Sequence, residues 1–248
     1  MRFFLFFLLC CSWSASGFAA ANLIPQSGFE IPVVKGRTAL DQGGDPSQDG
    51  KNPAWYSFKV DTTGSNATMS AGLTNAVSRT GKQSLYVDFN HVDQAYQSVI
   101  LISNFIPVVS GTQYVVSIWG RTDSNDLIDS EGRSAYLKLE VDFFAKDGNQ
   151  SVGDPIYAVQ PLPGPKDHDA YFTPDGWHAF VVKIMSPPGA VFAQINWRWE
   201  TGGDPGVING IMYFDDPALT GPANANPHMT PEPVQLPPPD TGASPAAQ

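Results

Sequence analysis

The sequence predicts an all-β protein folded as a two-sheet sandwich. Apolar residues make up 42% of the 248-residue chain, which is enough for a hydrophobic core and excludes a wholly disordered protein. The 23 glycines and 22 prolines are spread along the chain and disfavour long helices. Several short segments alternate apolar and polar residues with a period of two, as strands with one buried face do.

The amino-terminal segment is typical of a secretory signal peptide. Arg2 precedes the apolar run Phe3–Leu9, and small residues then lead to Ala19-Ala20-Ala21. A basic start, a short apolar run and an A-x-A sequence direct secretion and cleavage, and this run is shorter than the roughly 20 residues that span a bilayer. We therefore predict a cleaved signal peptide over residues 1–21, a secreted protein (extracellular or periplasmic) and no membrane span.

The rest of the chain divides into one domain and a tail. Residues 222–248 contain eight prolines and few aliphatic side chains, so they cannot bury enough apolar surface to offset the entropy of ordering. We predict a disordered proline-rich tail there and a single β domain over residues 22–221. Cys10 and Cys11 fall in the signal peptide, so core packing or a metal would stabilise the domain without disulfides. A lipoprotein attached through one of these cysteines is the alternative.

Seven segments within the domain carry the strand pattern. Trp197 and Trp199 share the apolar face of one of them and are expected to be buried. Glycine- and proline-containing turns separate the segments, whereas Arg37–Pro53 and Ser151–Pro174 are long polar stretches predicted to be functional or mobile loops. The predicted strands are Ser84–Asn90, Ser98–Val109, Tyr114–Arg121, Tyr136–Phe144, His178–Met185, Val191–Glu200 and Ile211–Phe214.

Composition and motifs exclude several classes of function. The net charge of −10 disfavours a nucleic-acid partner, because binding phosphates requires a basic face. The chain has no G-x-S-x-G segment, and its four histidines lack the spacing of a zinc site. Glu140 and Asp142 share one strand face, but any acidic sheet face brings carboxylates together by chance, so the pair does not indicate a glycosidase. We predict that the protein is not an enzyme.

Five sequence elements follow one another in a recognisable order. They are Asn22–Glu30 (NLIPQSGFE), Arg79–Leu85 (RTGKQSL), Tyr114–Trp119 (YVVSIW), Asp175-Gly176-Trp177 with Pro187–Ala190, and Tyr213–Asp216 (YFDD). Together they resemble the jelly-roll carbohydrate-binding modules of families 4, 9 and 22, which are attached to bacterial cellulases and xylanases. Pro217 departs from the pattern, because these modules usually have an aliphatic residue there. The resemblance implies a galactose-binding-like jelly roll.

The same resemblance implies a structural Ca²⁺ ion that joins the first and last strands. Glu30 and Asp215 would supply carboxylates, and carbonyl groups of Gly28 and of the Arg79–Lys82 turn would complete the six to eight oxygens that calcium prefers. Asp216 is expected to point to the opposite face and is the less favoured ligand. The alternative is that the two carboxylates are solvated or paired with the lysine of that turn.

The polar faces of the strands are the candidate ligand-binding surface. Glycan sites combine aromatic rings that stack on sugars with groups that hydrogen-bond to hydroxyls. In the resembled modules the ligand lies in a groove on the concave sheet or at the loop ends. Strand pairing would place the polar faces side by side as one charged shelf; the alternative is a hydrated face with weak cross-strand ion pairs. The candidate residues are Tyr86, Asp88, Trp119, Tyr136, Lys138, Glu140, Asp142, Asn196, Arg198 and Glu200.

These observations predict a secreted, non-catalytic protein that binds a polysaccharide or other glycan and contains structural calcium. The alternative is a structural or adhesive β-sandwich that contacts protein or the cell envelope. An exposed aromatic ring among hydrogen-bonding side chains would favour glycan binding, because such rings stack on sugars. A flat polar face with every tryptophan buried would favour the alternative.

Overall fold

The computed structural model describes ten segments of the chain, and these contain strands and turns but no helix. The segments are residues 21–24, 27–30, 37–39, 55–61, 69–93, 96–123, 129–131, 134–146, 150–162 and 172–221. The predicted signal peptide, the predicted tail and most of the predicted loop Arg37–Pro53 lie outside them. No helix in the described segments is long and apolar enough to cross a membrane.

Fourteen strands in the described segments form two antiparallel sheets. The strands are β1 (Ala21–Asn22), β2 (Arg37–Ala39), β3 (Trp55–Asp61), β4 (Met69–Thr74), β5 (Ser84–Val92), β6 (Ser98–Ser103), β7 (Ile106–Pro107), β8 (Gln113–Thr122), β9 (Asp129–Glu131), β10 (Ala135–Phe144), β11 (Ile156–Pro161), β12 (His178–Met185), β13 (Phe192–Thr201) and β14 (Val207–Gly221). Sheet A has the order β12-β8-β14-β5-β4-β2, with β1 and β9 also paired to β14. Sheet B has the order β11-β10-β13-β6-β3, with β7 paired to β13.

The two sheets pack face to face over one apolar core, which confirms the predicted all-β jelly-roll sandwich. The odd-numbered residues of β10 and β13 point inward and the even-numbered residues alternate with them on the outer face. Trp197 and Trp199 are fully buried, as the alternation predicts. Their rings contact those of Phe180 and Phe214 on sheet A, at centroid distances of 6.1 and 4.8 Å. Aromatic contacts between the layers therefore hold β13 in a fixed orientation.

Several predicted boundaries differ from the structure, and the predicted loop Arg37–Pro53 begins with strand β2 (Arg37–Ala39). The predicted strand Ser98–Val109 is two strands, β6 and β7, separated by Asn104 and Phe105. The predicted loop Ser151–Pro174 contains strand β11, which lies at the edge of sheet B. The predicted strand Ile211–Phe214 extends to 15 residues in β14. In β14 the register shifts between Ile208 and Gly210 and again between Asp215 and Ala218. At these two irregularities the strand accommodates Gly210 and Pro217, which would otherwise interrupt it.

Candidate functional site

The outer face of sheet B brings polar side chains of neighbouring strands into register. On β10 and β13, Lys138 is paired with Arg198, Glu140 with Asn196, and Tyr136 with Glu200. Strand β11 adds Tyr157, which is paired with Glu140. Paired residues point to the same side of a sheet, so these side chains form one surface. We call this surface the sheet B shelf; its members are Tyr136, Lys138, Glu140, Asp142, Tyr157, Asn196, Arg198 and Glu200.

Glu200 joins two cations across the shelf. Lys138 Nζ lies 2.6 Å from Glu200 Oε1, and Arg198 Nη1 lies 3.5 Å from Oε2. The Lys138 ammonium also lies 5.6 Å from the centroid of the Tyr136 ring. The side chain of Glu200 is 13% exposed, whereas those of Lys138 and Arg198 are 36% and 43% exposed. The carboxylate therefore orients two cations whose hydrogen-bond donors remain accessible to solvent.

The other two carboxyl groups of the shelf accept hydrogen bonds from adjacent strands. The Tyr157 hydroxyl donates to Glu140 Oε1, and Asn196 Nδ2 donates to Asp142 Oδ2, both at 3.1 Å. Burial raises the pKa of Asp142, and the charge of Glu140 raises it further, while the hydrogen bond from Asn196 opposes the shift. The hydrogen bond to Glu140 is the main cause that raises the pKa of Tyr157. The shelf is thus a hydrogen-bonded network in which burial and the charge of Glu140 disfavour the ionised form of Asp142.

Replacing Asp142 with asparagine is expected to stabilise the fold at neutral pH. The pKa of this carboxyl is raised above 3.8 in the folded state, so ionisation costs more in the folded than in the unfolded chain. Asparagine keeps an acceptor for Asn196 and carries no charge. The melting temperature of the variant should exceed that of the wild type at pH 7. The difference in melting temperature should narrow as the pH falls through the raised pKa of the folded state and should close below about 4, where both states of the wild type bind the proton. A difference in melting temperature between variant and wild type that is constant from about pH 3 to pH 8 would contradict the raised pKa of Asp142.

Three of the predicted ligand-binding residues lie on the other sheet. Tyr86 and Asp88 are on β5, which joins sheet A because it pairs with β4 and β14. Tyr86 is only 6% exposed and packs with Ile211 and Tyr213 in a small apolar cluster on the outer side of sheet A. Trp119 is on β8, also in sheet A, and the Arg79 guanidinium covers its ring at 3.8 Å from the centroid. The prediction that Tyr86 and Asp88 share one surface with the polar residues of β10 and β13 is wrong.

Sequence reasoning missed the aromatic residue at the edge of the shelf. Tyr157 is 65% exposed, and Val159, two residues further along the same strand, is 51% exposed. Both lie in the stretch predicted as a loop, where flanking prolines obscure a strand of six residues. The alternation of Tyr157, Val159 and Pro161 with half-buried residues is the signal that marks an edge strand.

Two acidic residues from distant parts of the chain contact the turn Arg79–Gln83. Glu30 Oε1 accepts hydrogen bonds from the N–H groups of the last two residues of the turn, at 2.9 and 3.2 Å. Asp215 Oδ2 accepts hydrogen bonds from the N–H groups of the first two residues, at 2.8 and 3.2 Å. Gly81 in the middle has φ of 62°, and a Cβ there would collide with the Glu30 carboxylate. Glycine therefore permits the close approach of Glu30 to this turn.

Asp215 is fully buried and Asp216 faces the same turn. Burial raises the pKa of Asp215 to about 7, although the N–H groups of Arg79, Asp216 and Thr80 counteract the shift.

Asp216 was expected to point to the opposite face, and this expectation is wrong. Its backbone is left-handed, with φ of 47°, at an irregularity of β14. Its carboxylate consequently turns back to Arg79 Nη1 and Thr80 Oγ1, each at 2.5 Å.

Three carboxylates meet at the turn, and each already has hydrogen-bond donors there. Backbone N–H groups donate to Glu30 and Asp215, and the Arg79 guanidinium pairs with Asp216. Gly28 lies beside them, because a Cβ on it would be 3.7 Å from Asp216 Oδ1. Carboxylate and carbonyl oxygens are the hard ligands that calcium prefers. Across the described segments, no three His, Cys, Asp or Glu side chains gather closely enough to hold a metal ion by themselves. A calcium ion here would therefore need backbone carbonyls as well.

Comparison with known proteins gives structural similarity at low sequence identity. No protein-family model and no curated protein matches this chain. The module TmCBM61, solved with β-1,4-galactotriose, is 16% identical over 81% of this chain and 99% of its own, with a TM-score of 0.43. The CBM22-1 xylan-binding domain of Xyn10C from Paenibacillus barcinonensis is 12% identical over 76% of this chain and 97% of its own, with a TM-score of 0.36.

A third similar structure is much longer than this chain. The enzymatically active domain of tailspike protein 4 of bacteriophage CBA120 is 15% identical, with a TM-score of 0.42. The match covers 65% of this chain but only 19% of the tailspike domain. Carbohydrate-binding modules of families 4 and 22, two of the three families that the sequence motifs resemble, are among the solved structures similar to this chain.

Proposed function

We propose that the protein is a secreted, non-catalytic module that binds a polysaccharide on the sheet B shelf. The observation that carries this proposal is the register of β10, β11 and β13, which places aromatic rings and hydrogen-bonding groups on one outer face. Tyr157 and Tyr136 offer rings that can stack on sugar C–H groups. Lys138 and Arg198 lie between them in the register, and Glu140 is the partner of Tyr157; all three can hydrogen-bond to hydroxyl groups.

Binding without catalysis suits the way the shelf carboxylates are engaged. Glu200 is held by two cations, Glu140 accepts from Tyr157, and Asp142 accepts from Asn196. A glycosidase needs one carboxyl that gives a proton and another that attacks or activates water. Carboxylates fixed in side-chain pairs are better suited to orient sugar hydroxyls, since each keeps further lone pairs that can accept from them.

Loss of glycan retention in an Asp142→Ala/Arg198→Ala double variant is the test of this proposal. The polysaccharide panel is xylan, β-1,4-galactan and mixed-linkage β-glucan, tested by affinity gel electrophoresis. We expect at least one of these polysaccharides to retain the wild type. Its retention of the double variant should be at least tenfold weaker, because two or more hydrogen-bonding groups are removed. Lys183→Ala is the matched control, because Lys183 is an exposed cation on β12 of the other sheet. Failure of the wild type to bind any panel member, or unchanged retention of the double variant, would contradict the proposal.

We also propose that Glu30 and Asp215 bind structural calcium together with backbone carbonyls of Gly28, Arg79 and Lys82. The support is that both carboxylates contact one turn and that Asp216 adds a third negative charge. A divalent ion would neutralise this charge and join the segment after β1 to the final strand. The ion would act as a structural link.

A structural or adhesive role is the alternative that one observation favours. Val181 and Met185, at 52% and 55% exposure, lie on β12, the edge strand of sheet A. Exposed apolar side chains on an edge strand are typical of protein contacts. Two results together would favour this alternative. The wild type would be retained by no polysaccharide, and a Val181→Ser/Met185→Ser variant would lose adhesion to protein.

A further inference from the structure

Tyr96 has the most exposed large apolar side chain in the described part of the chain. It lies between β5 and β6 and is 68% exposed. An aromatic ring in this position buries little surface, so core packing does not explain its presence. The sequence alone gives this residue no distinguishing context.

The backbone of Tyr96 is left-handed, which is an unfavourable conformation for an aromatic residue. Its φ is 58°, a region that asparagine and glycine adopt far more readily. The N–H of Tyr96 donates to the carbonyl of Thr201 at 3.1 Å, at the end of β13, and this bond fixes the strained residue in place. Strain kept at an exposed position is characteristic of residues that contact ligands.

Two glycines connect Tyr96 to the sheet B shelf. A Cβ on Gly202 would lie 3.3 Å from Cε2 of Tyr136, the ring at the end of the shelf. A Cβ on Gly203 would lie 2.7 Å from the hydroxyl oxygen of Tyr96, closer than real side chains permit. The two tyrosines therefore flank one glycine pair directly after β13. Beside this pair, the Ser134 hydroxyl donates to Asp204 Oδ2 at 2.8 Å and both side chains are available to further partners at the surface.

We infer that Tyr96 is a separate sugar-stacking platform that extends the shelf past Gly202 and Gly203, so that the site takes an internal run of a long polysaccharide chain. This inference rests on the proposed function. Tyr157 lies level with Asn196 in the register, and Tyr96 is bonded to Thr201, five residues further along β13. Five residues of strand span about 17 Å, so a sugar chain seated at Tyr157 reaches Tyr96 only if it is long. A long chain would contact both ends of the site, and a short one seated at Tyr157 would contact only the shelf.

The decisive variant is Tyr96→Asn, which removes the ring and suits the left-handed backbone. The probes are the panel polysaccharide that the wild type retains and the trisaccharide of the same sugar. We expect affinity for the polysaccharide to fall about three- to tenfold, as for the loss of one aromatic stacking contact, while affinity for the trisaccharide stays within twofold. The melting temperature should be unchanged or higher.

Tyr96→Phe is the matched control, because it keeps the ring and should bind both probes as the wild type does. Wild-type affinity of Tyr96→Asn for the polysaccharide would overturn the inference, and so would an equal loss for both probes. If the Asp142→Ala/Arg198→Ala variant also binds like the wild type, the proposed function itself fails. If that double variant loses both probes while Tyr96→Asn changes neither, only the extension is wrong.

Discussion

Replacing Trp199 with alanine is expected to lower the free energy of unfolding by about 3–5 kcal/mol. Trp199 is fully buried and its ring lies 4.8 Å from that of Phe214, centroid to centroid, on the opposite sheet. Removing the ring opens a cavity between the layers that the surrounding strands cannot fill without moving. The melting temperature should fall by roughly 10 °C. Urea unfolding, followed by the fluorescence of the remaining tryptophans, would measure the loss.

Trp199→Phe is the control for packing as distinct from hydrogen bonding. The indole Nε1 of Trp199 is buried without a hydrogen-bond partner in the described segments. An unpaired buried donor costs about 1–3 kcal/mol, and phenylalanine removes it while keeping a ring against Phe214. We expect this variant to lose less than half as much stability as the alanine variant. A loss below about 1 kcal/mol for Trp199→Ala would show that Trp199 does not join the two sheets.

Removal of calcium is expected to have the second largest effect on stability. Calcium at 100 times its dissociation constant would stabilise the folded chain by about 2.7 kcal/mol, because the assembled carboxylates exist only in the folded state. For a domain of this size, this corresponds to roughly 5–10 °C in melting temperature. Differential scanning calorimetry with calcium and then with a chelator would measure the difference. An unchanged melting temperature would contradict the proposed calcium site.

Glu30→Gln is the variant that separates calcium binding from folding. Glutamine keeps an oxygen that can accept the hydrogen bonds from the N–H groups of Lys82 and Gln83. It removes one of the charges that calcium requires, so the variant should fold in the presence of chelator but gain little on adding calcium. Magnesium in place of calcium should stabilise the wild type less, because Mg²⁺ demands octahedral geometry and keeps its water. A calcium response equal to that of the wild type would exclude Glu30 as a ligand.

The alternation of apolar and polar residues predicted the central strands well because both sheets have one buried face. β10, β12 and β13 each begin and end within one residue of their predicted bounds. The prediction failed for β14, where Gly210 and Pro217 read as breakers. In the structure Gly210 has φ of 132° and each residue lies at a shift of register, so β14 continues past both. Periodicity does not predict such irregularities, since they depend on the strands on either side.

Alternation also does not determine which sheet a strand joins. Asp88 on β5 and Glu140 on β10 have the same local pattern, yet β5 pairs with β4 and β14 while β10 pairs with β11 and β13. Seven of the ten predicted ligand-binding residues consequently lie together, and the three on β5 and β8 do not. The exposed Tyr157 was missed because the prolines at the ends of its strand are typical of a loop.

The pairing of β1 with the end of β14 has a mechanical consequence. Ala21 is the partner of Gly221, and Asn22 is the partner of Thr220, so the first and last strands bring the two flanks of the described domain side by side. Tension applied between the flanks would open this antiparallel pair one hydrogen bond at a time, as a zipper opens, and would meet little resistance. Tension applied between one flank and a ligand on the opposite layer would instead load many strands together. Tethering through a single flank is therefore the arrangement in which this domain would withstand force.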